Sequence, residues 1–169
     1  AAMLGAACRR CGCTLAADNP DDICSPCCHR PPYDPRTDGA FTARLADVRD
    51  PDAVDRALAD VGSLHGLVHV AGGLELDEWG HTEQLPLDTF DDVIILNLRA
   101  AFVTSRAVAD RLIAAEQGGA IVYLSSIAAL SALPFGAAYA VAKAGVLALM
   151  RTQAVEWGPL GIRVNAVAP

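Results

Sequence analysis

The sequence predicts an α/β protein built on a parallel sheet. Three observations predict it. Short apolar runs alternate with longer stretches of helical periodicity, glycine or proline marks most junctions, and apolar residues make up 53% of the chain, ample for a core. Phe41–Val48 alternates well enough to be a strand. Asp50-Pro51 supplies an N-cap with proline at the first helical position, and Val54, Ala57, Leu58 and Val61 then fall on one helical stripe. Leu64–Val70 reads as a short apolar strand ending at Ala71-Gly72-Gly73, and residues 74–86 read as a loop. Helical periodicity runs from about Leu87 to Glu116, with an interruption expected at Asn97 and a stop at Gly118-Gly119. Strand Ala120–Ser125, a loop to Gly136, a helix to Trp157 and strand Ile162–Val167 complete the alternation.

The N-terminal part has a different character. All six cysteines fall within the first 28 residues, and Cys8-Arg-Arg-Cys11 and Cys24-Ser-Pro-Cys27 form two paired knuckles separated by twelve residues. Such spacing offers four thiolates to one tetrahedral ion, so Cys8, Cys11, Cys24 and Cys27 are candidate zinc ligands. The stretch from Cys11 to Pro20 resembles small zinc-ribbon heads. A disulfide cluster and a cysteine-rich leader without function stand as alternatives. Residues 30–39 are rich in turn formers and read as a linker. The expected organisation is a cysteine-rich segment with its linker over 1–38 and an α/β domain over 39–169.

Charge and hydropathy narrow the function classes. A formal net charge of −7 argues against binding nucleic acid through a broad basic surface. Residues 118–142 carry no charge, but Pro134, Gly136 and Tyr139 interrupt them, so a buried helix is expected rather than a membrane span. With neither a basic start nor a long apolar run at the beginning, a cytoplasmic location is expected. The chain opens at Ala1 and stops at Pro169 inside a motif, so both ends are expected to be cut or unusual.

The residue that carries the chemistry is Lys143, the only lysine among thirteen basic side chains. It follows Tyr139 by four positions, a spacing that places both on one helical face. An ammonium is a compact point charge, and beside a phenol it favours the ionised form, which suits the pair to proton transfer. Ser126 lies thirteen residues before Tyr139, at the end of an apolar run, and Asn97 lies further upstream.

This order, Asn97, Ser126 and Tyr139-Ala-Val-Ala-Lys143, resembles that of the short-chain dehydrogenase/reductase family. The closing Gly161-Ile-Arg-Val-Asn165-Ala-Val-Ala-Pro169 also resembles that family, and the similarity covers about residues 40–169. It implies a partial Rossmann-type, doubly wound parallel sheet and interconversion of a carbonyl and a secondary alcohol with NAD or NADP. It further implies that Tyr139 exchanges a proton with the substrate oxygen and that Ser126 hydrogen-bonds the same oxygen. Lys143 would assist Tyr139 and hold the nicotinamide ribose, and Asn97 would position a water for Lys143. Asp47-Val48 resembles the family's adenine-binding pair, and Ala71-Gly72-Gly73 the second half of its Asn-Asn-Ala-Gly motif. His69 and Val70 replace the two asparagines, and His69 is expected to be a core residue.

The resemblance also implies dimerisation through the long helices after Leu87 and Gly136. No glycine-rich phosphate-binding turn precedes Phe41, so weak cofactor binding is expected of this chain, and the choice between NAD and NADP stays open. The competing expectation is a non-catalytic zinc-binding interaction or regulatory protein carrying a reductase remnant.

Overall fold

The computed structural model describes residues 44–169. The cysteine knuckles, the linker and the expected division between residues 38 and 39 lie outside the described residues. Helix α1 spans Pro51–Leu58, with Asp50 as its N-cap and proline in its first turn. The Asp50 carboxylate accepts the Asp52 N–H at 2.9 Å, a cap worth about 1 kcal/mol. Strand β1 (Gly66–His69) follows. Helix α2 (Leu87–Ile94) then runs through a π-helical turn at Ile95–Arg99 into α3 (Ala100–Ala114). Strand β2 (Gly119–Leu124), helix α4 (Ala137–Trp157) and strand β3 (Ile162–Val167) complete the unit.

The expected interruption at Asn97 is therefore a π-turn inside a continuous helical stretch. The Asn97 amide donates to the Val93 carbonyl at 3.0 Å, and the Ala100 N–H reaches back five residues to Ile95. Single π-turns of this kind are frequent at functional sites.

The strands form one parallel sheet in the order β1-β2-β3, with Gly66 opposite Ala120 and Gly119 opposite Ile162. Because the order runs in one direction, right-handed crossovers place α3 and α4 on the same face. Alternation along the strands turns Ile121, Tyr123, Ile162 and Val164 toward these helices, where they pack with Val108, Leu112 and Val146. The opposite face leaves Val68 and Val167 exposed.

One chain of polar groups crosses the core. The Tyr123 hydroxyl donates to Gln153 Oε1, Gln153 Nε2 donates to Ser105 Oγ, and Ser105 donates to the Phe102 carbonyl. Burial pushes the Tyr123 phenol up to about 12, so it remains a donor at neutral pH. The chain ties β2 to α3 and α4.

One expectation needs correction. The described part of the proposed Phe41–Val48 strand, from Arg44 onward, has no ladder partner and ends in a turn at Val48-Arg49. Leu45 is fully exposed, and Asp47 accepts from the Asp50 N–H to close the turn. Alternating side chains do not make a strand where no neighbouring strand supplies hydrogen bonds.

Candidate active site

The site forms where the C-terminal ends of β1 and β2 meet the π-turn and the first turns of α4, the end of a parallel sheet where ligands bind in open α/β folds. Lys143 is 4% exposed although it carries an ammonium. Its Nζ donates to the Leu124 carbonyl at 3.0 Å and lies 5.4 Å from the centroid of the Tyr139 ring. Burial holds its pKa below the ordinary lysine value. Ser125, the neighbour of Ser126, is also buried, and its hydroxyl donates to the Lys143 carbonyl at 2.9 Å. Ser125 thus anchors α4, whereas Ser126 caps the short turn Ile127–Ala129 and accepts the Ala128 N–H at 3.2 Å. The Ser126 and Tyr139 side chains line one open hollow.

Asn97 closes the other side. Its Oδ1 accepts the Gly73 N–H at 2.9 Å and its Nδ2 donates to the Gly73 carbonyl at 2.8 Å. This pair of bonds pins the Ala71-Gly72-Gly73 turn onto the helix. Gly72 has φ +139°, a conformation that L side chains rarely adopt, and a Cβ there would stand 2.6 Å from Asn97 Oδ1 and 3.2 Å from Lys143 Nζ. Gly73, by contrast, faces open space. The structure thus brings together Asn97, Ser126, Tyr139, Lys143 and the Ala71–Gly73 turn.

Asp47 and Val48 lie apart from this group, at the entry to α1. The Asp47 carboxylate grips Arg49 through Nε at 3.0 Å and Nη2 at 2.8 Å. These hydrogen bonds hold the Asp47 pKa below its usual value. Arg99, on the π-turn, donates to the Arg49 carbonyl at 2.7 Å and so connects this corner to Asn97.

His69 is buried as expected, with Nδ1 2.9 Å from Thr104 Oγ1 and no hydrogen-bond partner for Nε2 among the described residues. Burial, reinforced by the Lys143 charge and opposed by the Ala71 backbone, lowers its pKa to about 4. The unfolded chain therefore binds a proton that the folded chain refuses between about pH 6.5 and pH 4. Stability should fall as pH drops through that window, by up to about 3 kcal/mol. Urea unfolding at neutral pH and near pH 4 should show this loss, and His69→Asn should show less of it.

Three contributors were missed by sequence reasoning. The Leu124 carbonyl and the Ser125 anchor depend on how β2 meets α4, and no local pattern encodes that. The hollow's wall, with Leu74, Trp79 and Leu133, comes from two segments read only as loops. Their signal was apolar side chains in turn-rich sequence.

Residues 35–169 match the family model described as enoyl-(acyl carrier protein) reductase. A short-chain type dehydrogenase/reductase of Mycolicibacterium smegmatis is 39% identical over 137 residues, covering 76% of this chain and 47% of that protein. A solved short-chain type dehydrogenase/reductase from Mycobacterium ulcerans superposes with a TM-score of 0.72 at 32% identity, over 78% of this chain and 48% of that one. Carveol dehydrogenase from Mycobacterium avium, in complex with NAD, gives a TM-score of 0.68 at 36% identity, over 76% and 47% of the two chains.

The fold is thus the Rossmann-type α/β sheet of these enzymes. The chain belongs to the short-chain dehydrogenase/reductase family. It spans about half the length of the relatives it matches.

Proposed function

We propose that the chain is the catalytic part of a nicotinamide-dependent oxidoreductase that interconverts a carbonyl and a secondary alcohol, resembling 3-oxoacyl carrier-protein reductases or hydroxysteroid dehydrogenases in type. The observation that carries the reading is a buried lysine whose ammonium lies over the ring of Tyr139, with the Ser126 hydroxyl on the same hollow. Burying an ammonium without an anionic partner is costly, which favours a functional reason for it.

The residues suit a nicotinamide cofactor. Lys143 donates one of its three N–H bonds to Leu124, leaving others for ribose hydroxyls, and the open space over Gly73 admits close approach. Ala71, Gly72, Gly73, Tyr139 and Lys143 would hold the nicotinamide half, and Asp47 with Val48 the adenine half, of either NAD or NADP. When bound, the cofactor supplies or accepts a hydride at the substrate carbon.

Tyr139 donates the proton to the carbonyl oxygen in reduction and removes it from the alcohol in oxidation. Ser126 hydrogen-bonds that oxygen as charge develops. Asn97 holds the glycine turn and, through the free lone pair of Oδ1, a water for Lys143. Self-association through α3 and α4, where Phe102, Val141 and Val155 are exposed, and a cytoplasmic location belong to the same reading. No helix among the described residues is long and apolar enough to cross a membrane.

Titrating the isotope-labelled chain with NADH tests the proposal. The amide signals of Gly72 and Gly73 should move at high cofactor concentration, with weak affinity given the missing glycine-rich turn. Signals that stay fixed would remove the cofactor assignment.

The two Cys-x-x-Cys pairs favour a second reading, a zinc-binding head on a non-catalytic interaction or regulatory module. No metal-ligating cluster occurs among the described residues. Elemental analysis finding about one zinc per chain would support the head, and none would remove it.

A further inference from the structure

We infer that the hollow beside Tyr139 takes a neutral, largely apolar ring ketone or secondary alcohol, and discriminates against substrates carrying a carboxylate, phosphate or other anion. The inference rests on the carbonyl–alcohol reading above and specifies its substrate class. The hollow has a volume of about 300 Å³, at the small end for ligand pockets. Its wall is made by Leu74, Trp79, Ile127, Ala128 and Leu133, and the polar side chains lining it are those of Ser126 and Tyr139. Two hydroxyls suffice to bond one carbonyl oxygen. Among the described lining residues they leave no further polar side chain to bond an anionic group, which an apolar wall disfavours.

The charges around the hollow act in the same direction. Residues 74–98 contain Glu75, Asp77, Glu78 and Glu83 in the loop beside it and neither lysine nor arginine. Residues 118–142, which supply the rest of the wall, carry no charge at all. Lys143 does not line the hollow, and its ammonium is bonded to the Leu124 carbonyl. Among the described residues, an anion entering here meets like charge at the loop and no cation in the lining, the nearest ammonium being that of Lys143, 5.4 Å from the centre of the Tyr139 ring.

The apolar wall is held in shape by contacts between its two loops. The Gly80 N–H donates to the Phe135 carbonyl at 2.9 Å, and the His81 ring meets the Phe135 ring edge-on at 4.8 Å. Phe135 has φ +65°, an unusual conformation for a bulky residue, which persists only where its surroundings impose it. This clasp brings Trp79 and Leu133 together over Gly136. A Cβ on Gly136 would stand 2.5 Å from Leu133 Cδ2 and 3.5 Å from Trp79 Cζ3, so the glycine permits the approach. Trp79 remains 43% exposed, leaving apolar area for a ring to cover. Trp79 and Leu133 are accordingly the specificity-determining residues.

A matched pair of probes tests this: cyclohexanone and 4-oxocyclohexanecarboxylate, which share a ring and a ketone and differ in one charge. With methyl-labelled leucines in the whole chain, cyclohexanone should shift the Leu74 and Leu133 signals. It should bind at least about tenfold more tightly than the carboxylate, because the anion finds no partner in the described lining. Leu133→Arg should narrow or reverse the preference, and Trp79→Ala should weaken cyclohexanone with the melting temperature nearly unchanged. Equal or tighter binding of the carboxylate by the unaltered chain, or no shift with either ring, would overturn the inference. Failure of the underlying reading has a separate signature, since it shows as Gly72 and Gly73 amides unmoved by NADH whichever ring the hollow prefers.

Discussion

Replacing Tyr139 by phenylalanine should lower carbonyl-dependent oxidation of reduced nicotinamide cofactor by about 10²–10⁴-fold, the usual contribution of a positioned general acid. The Tyr139 hydroxyl makes no hydrogen bond to protein among the described residues, so its removal breaks none of their bonds. The melting temperature should stay within a degree or two, because substitutions that break no named interaction are usually nearly neutral. A rate drop with unchanged stability is the signature of a reacting group. Activity surviving in the phenylalanine variant would take the tyrosine out of the mechanism. Lys143→Arg should not restore the function that Lys143 supplies. The buried ammonium bonds the Leu124 carbonyl, and a Cβ on Gly72 would stand 3.2 Å from it, whereas a planar guanidinium is both larger and differently directed.

The second large effect is expected at Gly72. Alanine there must adopt φ +139° and bring its methyl within 2.6 Å of Asn97 Oδ1. The conformation alone costs about 1–3 kcal/mol, and displacing Asn97 puts at risk its two bonds to Gly73, each worth about 1 kcal/mol. Urea denaturation should record a loss of about 3–5 kcal/mol if both bonds are lost, the sum of these effects. Gly73→Ala is the control, because a Cβ at Gly73 meets nothing within 4 Å and should change stability by only about 0.5 kcal/mol. Equal losses at the two glycines would refute the account of the turn.

Much of the fold was legible because its signals are local. The Asp50-Pro51 start of α1 is a cap whose hydrogen bond runs two residues along the chain. The apolar runs at 120–125 and 162–167 became strands, because β-branched and aliphatic residues pair well when a neighbouring strand is present. The interruption at Asn97 was legible as well, though its form was not, since a polar side chain in an apolar helix must find partners somewhere. The failure at Phe41–Val48 has the converse cause. Its pattern suits a strand, but the described part has no neighbour to pair with.

The site divides in the same way. A lone lysine four residues after a tyrosine, with Ser126 and Asn97 upstream, could be read without coordinates, because helical spacing alone puts the first two on one face. That Asn97 would spend both ends of its amide on Gly73, that Leu124 would receive the Lys143 ammonium, and that Ser125 would anchor α4 depended on the packing of β2 against two helices. So did the meeting of Trp79 and Leu133, which come from loops more than 50 residues apart in the chain. Chemistry written in residue type and short spacing survives in one dimension. Burial, loop-to-loop contact and the environment that moves a pKa arise only when distant segments exclude water together.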